Sequence, residues 1–275
     1  MRIKTKNKTI NNNPIGIFDS GFGGLTVMSA INEALPLENL IYFGDTAHVP
    51  YGSKSKSIVI RYSEEITSFL VKCKVKLIVV ACNTASAFAL PILKRTLKIP
   101  IIGVIKPGSK AAVFASKNKK IGVIGTEGTI DSRSYLQEIN KICRCKVYQQ
   151  ACPLLVPLIE EGWDDDEVTD SIVKKYIKPL LDKQIDTLVL GCTHYPLLKK
   201  ALQKNLGEKI ILIDSANATT YEVRDILNNK CLFADPRSKK FLKFYVSDNP
   251  DKFKMIGSRF FSKKIFDVKK IKMTC

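Results

Sequence analysis

Leu77-Ile-Val-Val-Ala-Cys82-Asn83-Thr84 and, much later in the chain, Leu188-Val-Leu-Gly-Cys192-Thr193-His194 each run a hydrophobic strand into a cysteine beside hydroxyl and amide donors. Short, continuously apolar runs suit strands buried on both faces of a parallel sheet, and ligands of such sheets gather at the carboxyl ends of the strands. One cysteine turn in each half of the chain implies a cleft between two similar domains, with two thiols facing one ligand. A reaction that removes a proton from one face of a carbon and returns one to the other needs two acid/base groups. The duplicated turn therefore points to racemisation or epimerisation without a cofactor.

Outward from these turns the chain keeps α/β grammar. Strand-like runs stand at residues 15–18, 40–43, 77–81, 101–104, 121–124, 187–190, 210–213 and 244–246. Helical patterns fall between them at 25–35, 57–71, 86–97, 134–142, 168–181, 197–206 and 219–227. Each is long enough to serve as the crossover that parallel strands require. Past Phe261 the Lys-rich sequence matches no element and reads as a frayed tail.

With 275 residues and 45% hydrophobic content the chain can bury one large domain or two ordinary ones. No run approaches the roughly 20 apolar residues of a membrane span, and residues 1–13 are polar and basic rather than signal-like, so a cytoplasmic location is expected. Eight cysteines are too sparse for a disulfide framework and are read as free thiols. No Cys-x-x-Cys pair exists and the two histidines lie in unrelated segments, so no metal site is expected. The net charge of +18 is spread along the chain without interleaved aromatic motifs, which favours a solvated lysine-rich surface over nucleic-acid binding.

Three further segments carry candidate chemistry. Phe18-Asp19-Ser20-Gly21-Phe-Gly23-Gly24-Leu-Thr26 has the glycines of a phosphate loop but not the spacing of a dinucleotide fingerprint. It reads as a tight strand-to-helix turn exposing Asp19 and Ser20, with simple helix capping as the alternative. Tyr42-Phe-Gly-Asp45-Thr-Ala-His48-Val-Pro50-Tyr51-Gly52 is either a binding loop that places Tyr51 and a backbone amide over a polar ligand or an ordinary turn, which alone would explain Pro50 and Gly52, and His48 reads as a surface or capping histidine. Thr126, Thr129 and Ser132 offer hydroxyls that either reach the substrate or cap the helix they open, with capping favoured, and Pro157–Trp163 is left outside the site.

Taken together, Phe18–Val27, Tyr42–Gly52, Ala81-Cys82-Asn83-Thr84-Ala85, Gly191-Cys192-Thr193-His194-Tyr195-Pro196 and Ile213-Asp214-Ser215-Ala216 resemble the glutamate racemases, in unbroken order from about Ile15 to Val246. The resemblance implies two pseudo-symmetric α/β domains with the active site between them, one from residues 1–105 and 215–275, the other from 106–214. It implies a cofactor-independent racemase that interconverts L-glutamate and D-glutamate and supplies the latter for peptidoglycan. Catalysis maps onto Cys82 and Cys192, with Asp19 assisting the first and His194 the second. Substrate contacts map onto Asp19 with Ser20, Tyr51 with Gly52, Asn83 with Thr84, and Thr193 with His194. By the same resemblance Cys82 deprotonates D-glutamate and Cys192 L-glutamate. Helix N-termini and open amides are expected to lower the pKa of both thiols. A homodimer and activation by a cell-wall precursor stay open, as do an aspartate-directed racemase and a basic binding protein on a racemase scaffold.

Overall fold

The computed structural model describes residues 10–272, so residues 1–9 of the basic N-terminal extension and Cys275 lie outside the described residues. The first part of the chain forms β1 (Ile15–Asp19), α1 (Leu25–Ala34), β2 (Leu40–Gly44), α2 (Lys56–Lys72), β3 (Leu77–Val80), α3 (Asn83–Phe88), α4 (Leu90–Thr96) and β4 (Ile101–Gly103). It continues with α5 (Ile105–Ala115), β5 (Lys120–Gly125), α6 (Glu127–Asp131), α7 (Ser134–Ile142), β6 (Lys146–Ala151), α8 (Leu155–Glu160), α9 (Glu167–Leu181) and β7 (Thr187–Gly191). The last part holds α10 (Lys199–Leu206), β8 (Ile211–Asp214), α11 (Ser215–Asn229), β9 (Leu242–Val246), α12 (Pro250–Phe261) and β10 (Val268–Lys270).

These strands make two sheets, ordered β10-β9-β2-β1-β3-β4 and β6-β5-β7-β8. All the pairings in both are parallel, as the apolar runs predict. β1, β2, β3 and β7 are buried along their whole length because helices cover both faces. In each sheet the chain steps one way and then returns across its first strand: β1 lies between β2 and β3, and β5 between β6 and β7. Consecutive crossovers depart to opposite faces there and leave a crevice at the carboxyl ends. Cys82 follows β3 and Cys192 follows β7, so each crevice receives one cysteine. Helix α11 packs on α1 from the first sheet's side and on α5 from the second's.

Several elements escape the sequence reading. β6 is a half-exposed edge strand rich in Lys and Gln, without an apolar run to mark it. α5 is disguised by Pro107 and Gly108, yet Pro107 sits in the first helical turn, where the missing N–H leaves no hydrogen bond unmade. α6, α8 and α12 are likewise additional. The single pattern at 86–97 is two helices, since Pro91 stands in the first turn of α4. The segment after Phe261 is no frayed tail within the described residues: Ile265 is buried and β10 pairs in parallel with β9.

The segment before β1 is anchored as well. Buried Lys76 forms an ion pair with Glu38 at 2.5 Å and donates to the Asn11 carbonyl, while Glu38 accepts the Ala234 N–H.

Candidate active site

At the end of β3 the backbone turns at Cys82, which is extended (φ −62°, ψ 126°) and serves as the N-cap of α3. Its Sγ accepts the Ala85 N–H at 3.4 Å, so the thiol is fixed by the helix it opens. Burial and the neighbouring Asp19 carboxylate push the Cys82 thiol up to about 12, against smaller opposing contributions from the Ala85 amide and Ser20. The expectation that the helix terminus lowers this thiol is thus overturned, because desolvation of a fully enclosed sulfur outweighs one amide dipole.

Asp19, the last residue of β1, is itself buried. Its carboxylate accepts from the Gly21 N–H at 3.0 Å and from Thr193 Oγ1 at 3.3 Å. Burial raises its pKa, opposed mainly by the charge of His194. The glycine turn that follows brings the two cysteine turns together rather than cradling phosphate. A Cβ at Gly23 would stand 2.4 Å from Thr193 Oγ1 and 2.6 Å from His194 Nδ1, so only glycine admits this approach.

After β7, His194 lies between two partners: its Nδ1 is 3.9 Å from Cys192 Sγ and its Nε2 is 3.1 Å from Glu160 Oε1. Burial opposes the imidazolium, but the Cys192 sulfur and the Glu160 carboxylate outweigh it together and raise His194 to about 10. The ring is therefore charged at neutral pH when it faces a Cys192 thiolate. The electrostatic settings of the two sulfurs differ in sign, an imidazolium beside Cys192 and a carboxylate beside Cys82.

The loop after β2 is held by Asp45, whose carboxylate receives Tyr51 Oη at 2.5 Å, Ser247 Oγ at 2.7 Å and His48 Nδ1 at 2.9 Å. Tyr51 thus spends its hydroxyl on the loop, and His48 stacks on Tyr62 as a partly exposed ring. Beside Gly52, a threonine cluster joins the two halves: Thr84 Oγ1 lies 2.9 Å from Thr126 Oγ1 and 3.2 Å from Thr129 Oγ1.

Ser20, Tyr51, Gly52, Cys82, Asn83, Thr84, Cys192, Thr193 and His194 all line one cavity of about 20 Å³. Asp19 stands just behind that lining and reaches it through Thr193. No lysine or arginine is among the lining residues. Among the described residues no cluster of three or more His, Cys, Asp or Glu side chains could hold a metal ion.

A family model described as Asp/Glu/Hydantoin racemase matches residues 15–223. The chain belongs to this racemase family. As a member it is an amino-acid racemase, an isomerase. A glutamate racemase from Geobacter metallireducens is 50% identical over 260 residues, covering 94% of this chain and 96% of the relative. Among solved structures, glutamate racemase isoform RacE1 from Bacillus anthracis aligns with a TM-score of 0.92 at 40% identity, covering 96% of this chain and 98% of the other. The Francisella tularensis glutamate racemase, solved in complex with D-glutamate, aligns with a TM-score of 0.90 at 36% identity over 95% and 98%.

Against this family background, two contributors stand out that sequence reasoning left aside. Glu160 ends α8 inside the excluded Pro157–Trp163 stretch, and only the fold reveals that it meets His194. Thr126 does cap α6, as read, but its hydroxyl also bonds Thr84 and lines the cavity. A serine or threonine directly after the second sheet's first strand, in the register of Ser20 after β1, was the available signal.

Proposed function

We propose that this chain interconverts L-glutamate and D-glutamate by a two-thiol mechanism without a cofactor, and that its product serves bacterial cell-wall synthesis. The observation that carries the reading is that Cys82 and Cys192, each at the carboxyl edge of a different parallel sheet, line a single cavity. In one direction the Cys192 sulfur, as thiolate, takes the Cα proton and the electron pair passes into the α-carboxylate. The Cys82 thiol then delivers its proton to the opposite face. The roles reverse for the other enantiomer. His194, charged and backed by Glu160, balances the negative charge at Cys192, while Asp19 disfavours negative charge on Cys82 until the substrate ammonium arrives. Hydroxyl and amide donors of Ser20, Asn83, Thr84 and Thr193, with the Tyr51–Gly52 backbone, bind the carboxylates and stabilise the charge that develops on deprotonation.

We assign each sheet and its helices to one domain, residues 1–105 with 215–275 and residues 106–214. Among the described residues no helix is long and apolar enough to cross a membrane. Both thiols must stay reduced, which suits the cytoplasm. Homodimer formation and activation by a cell-wall precursor rest on the family resemblance alone.

Circular dichroism at a glutamate band, with purified protein and no added cofactor, tests the reading. L-Glutamate should racemise and lose its signal, while Cys82→Ala and Cys192→Ala should be inactive. Solvent-deuterium exchange at Cα, compared between L-glutamate and L-aspartate, separates the substrate classes. Exchange with aspartate alone would transfer the assignment, and exchange with neither would favour a binding role.

A further inference from the structure

Tyr135 stands on α7 but directs its hydroxyl into the opposite half. Its Oη donates to Asn83 Oδ1 at 2.7 Å, and Ser215 Oγ lies 3.2 Å from the same Oη. All three side chains are buried, and they come from α7, α3 and α11. A side-chain amide has one acceptor end and one donor end, and the end that faces a ligand decides what it recognises. The single phenolic proton is spent on Asn83, which leaves Ser215 to donate to Oη. Burial raises the Tyr135 pKa well above its ordinary value, so the phenol keeps that proton across the working range.

The ring is fully buried and lies close against two glycines. A Cβ at Gly108 would meet Ser215 Oγ at 2.8 Å and Tyr135 Oη at 3.4 Å, and one at Gly191 would stand 3.2 Å from ring Cε2. One side chain thus bonds the residue after Cys82 and packs against the residue before Cys192. Asn83 meanwhile lines the cavity shared by the two cysteines, with its Oδ1 already occupied. Its Nδ2 is the end left to serve a ligand.

We propose that Tyr135 is a positioning residue for the racemisation, fixing the Asn83 amide so that its Nδ2 donates to the substrate α-carboxylate. The inference rests on the racemase reading above and deepens it. The carboxylate gains negative charge as the Cα proton leaves, so a donor held in place acts most strongly at that stage.

A double-mutant cycle on glutamate turnover tests it. Tyr135→Phe keeps the ring and removes only the proton donor, and kcat/KM should fall about tenfold, chiefly in kcat. Asn83→Ala should cost more, and adding Tyr135→Phe to it should cost nothing further. Asn83→Asp supplies a second background lacking the donor end, in which Tyr135→Phe should again have little effect. Ser215→Ala should cause a smaller loss in the same direction. Wild-type kcat/KM in Tyr135→Phe, or the same tenfold loss repeated in both Asn83 backgrounds, would overturn the inference while leaving the racemase reading intact. A wild-type chain that does not turn over glutamate would reject both.

Discussion

At the scale of single residues, the two halves of the site differ in charge, and His194 gives that difference a measurable consequence. Its folded-state pKa of about 10 lies above the ordinary 6.5. The charged ring therefore contributes stability that is fully present below pH 6.5 and is lost as pH rises through about 10. Cys82 acts in the same sense at higher pH, because its thiol stays protonated to about 12 in the fold but ionises near 9.0 when exposed. Thermal melts should show the wild-type Tm falling from pH 6.5 to 9, and the His194→Asn protein should be nearly flat over that interval. Equal slopes would mean that the ring is neutral in the fold. Glu160→Gln should also act through His194. The two enantiomers are equal in energy, so kcat/KM falls equally in both directions, and rate constants alone cannot assign the base. The primary isotope effect of Cα-deuterated substrate can: it should rise more with L-glutamate, the enantiomer whose deprotonation we assign to Cys192, than with D-glutamate. A larger rise with D-glutamate would reverse the assignment of the two thiols.

Among the elements, legibility followed burial. β1, β2, β3 and β7, buried throughout, announce themselves as apolar runs, and both cysteines stand where those runs stop. β6 and β10 are edge strands whose exposed positions carry Lys, and β6 adds two partly buried Gln, so their hydrophobic signal is halved. Prolines in first helical turns mask α5 and α12 because a sequence pattern cannot separate a helix start from a helix break. Cys82, Cys192 and their immediate neighbours were legible for the same reason the strands were. Glu160 was not, since nothing local distinguishes a carboxylate at a helix end from one that meets a histidine 34 residues away. The tail gives this scale its test. Ile265 is buried against Gly257 of α12, and β10 continues the sheet beyond β9. Ile265→Ala should cost about 2–4 kcal/mol and lower the Tm by roughly 5–10 °C in calorimetry. An unchanged Tm would show that the tail contributes nothing to the fold.

For the molecule as a whole, the size of the cavity is the governing fact. About 20 Å³ holds roughly one water, so a glutamate can enter only if the two halves part. The contacts that must yield are identifiable. On one side the Thr84–Thr126–Thr129 hydroxyls close over Gly52, where an added Cβ would lie 2.5 Å from Thr126 Cβ. On the other, Thr193 reaches Asp19 across Gly23. α11, packed on both α1 and α5, supplies a continuous contact about which separation can occur. Thr126→Val keeps the shape of the side chain but removes its hydroxyl bond to Thr84, the one of its bonds that crosses between the halves, worth about 0.5–1.5 kcal/mol. The open form should then be populated about two- to tenfold more, and alkylation of Cys82 and Cys192, followed peptide by peptide in a mass spectrometer, should accelerate by that factor. Cys73 and Cys231, which lie outside the cavity, provide the internal reference and should react at an unchanged rate. D-Glutamate should suppress the acceleration by occupying the site. If the two cavity thiols react no faster in Thr126→Val than in wild type, the halves do not part along the threonine side, and the route to the thiols must run past Gly23 and Thr193 instead.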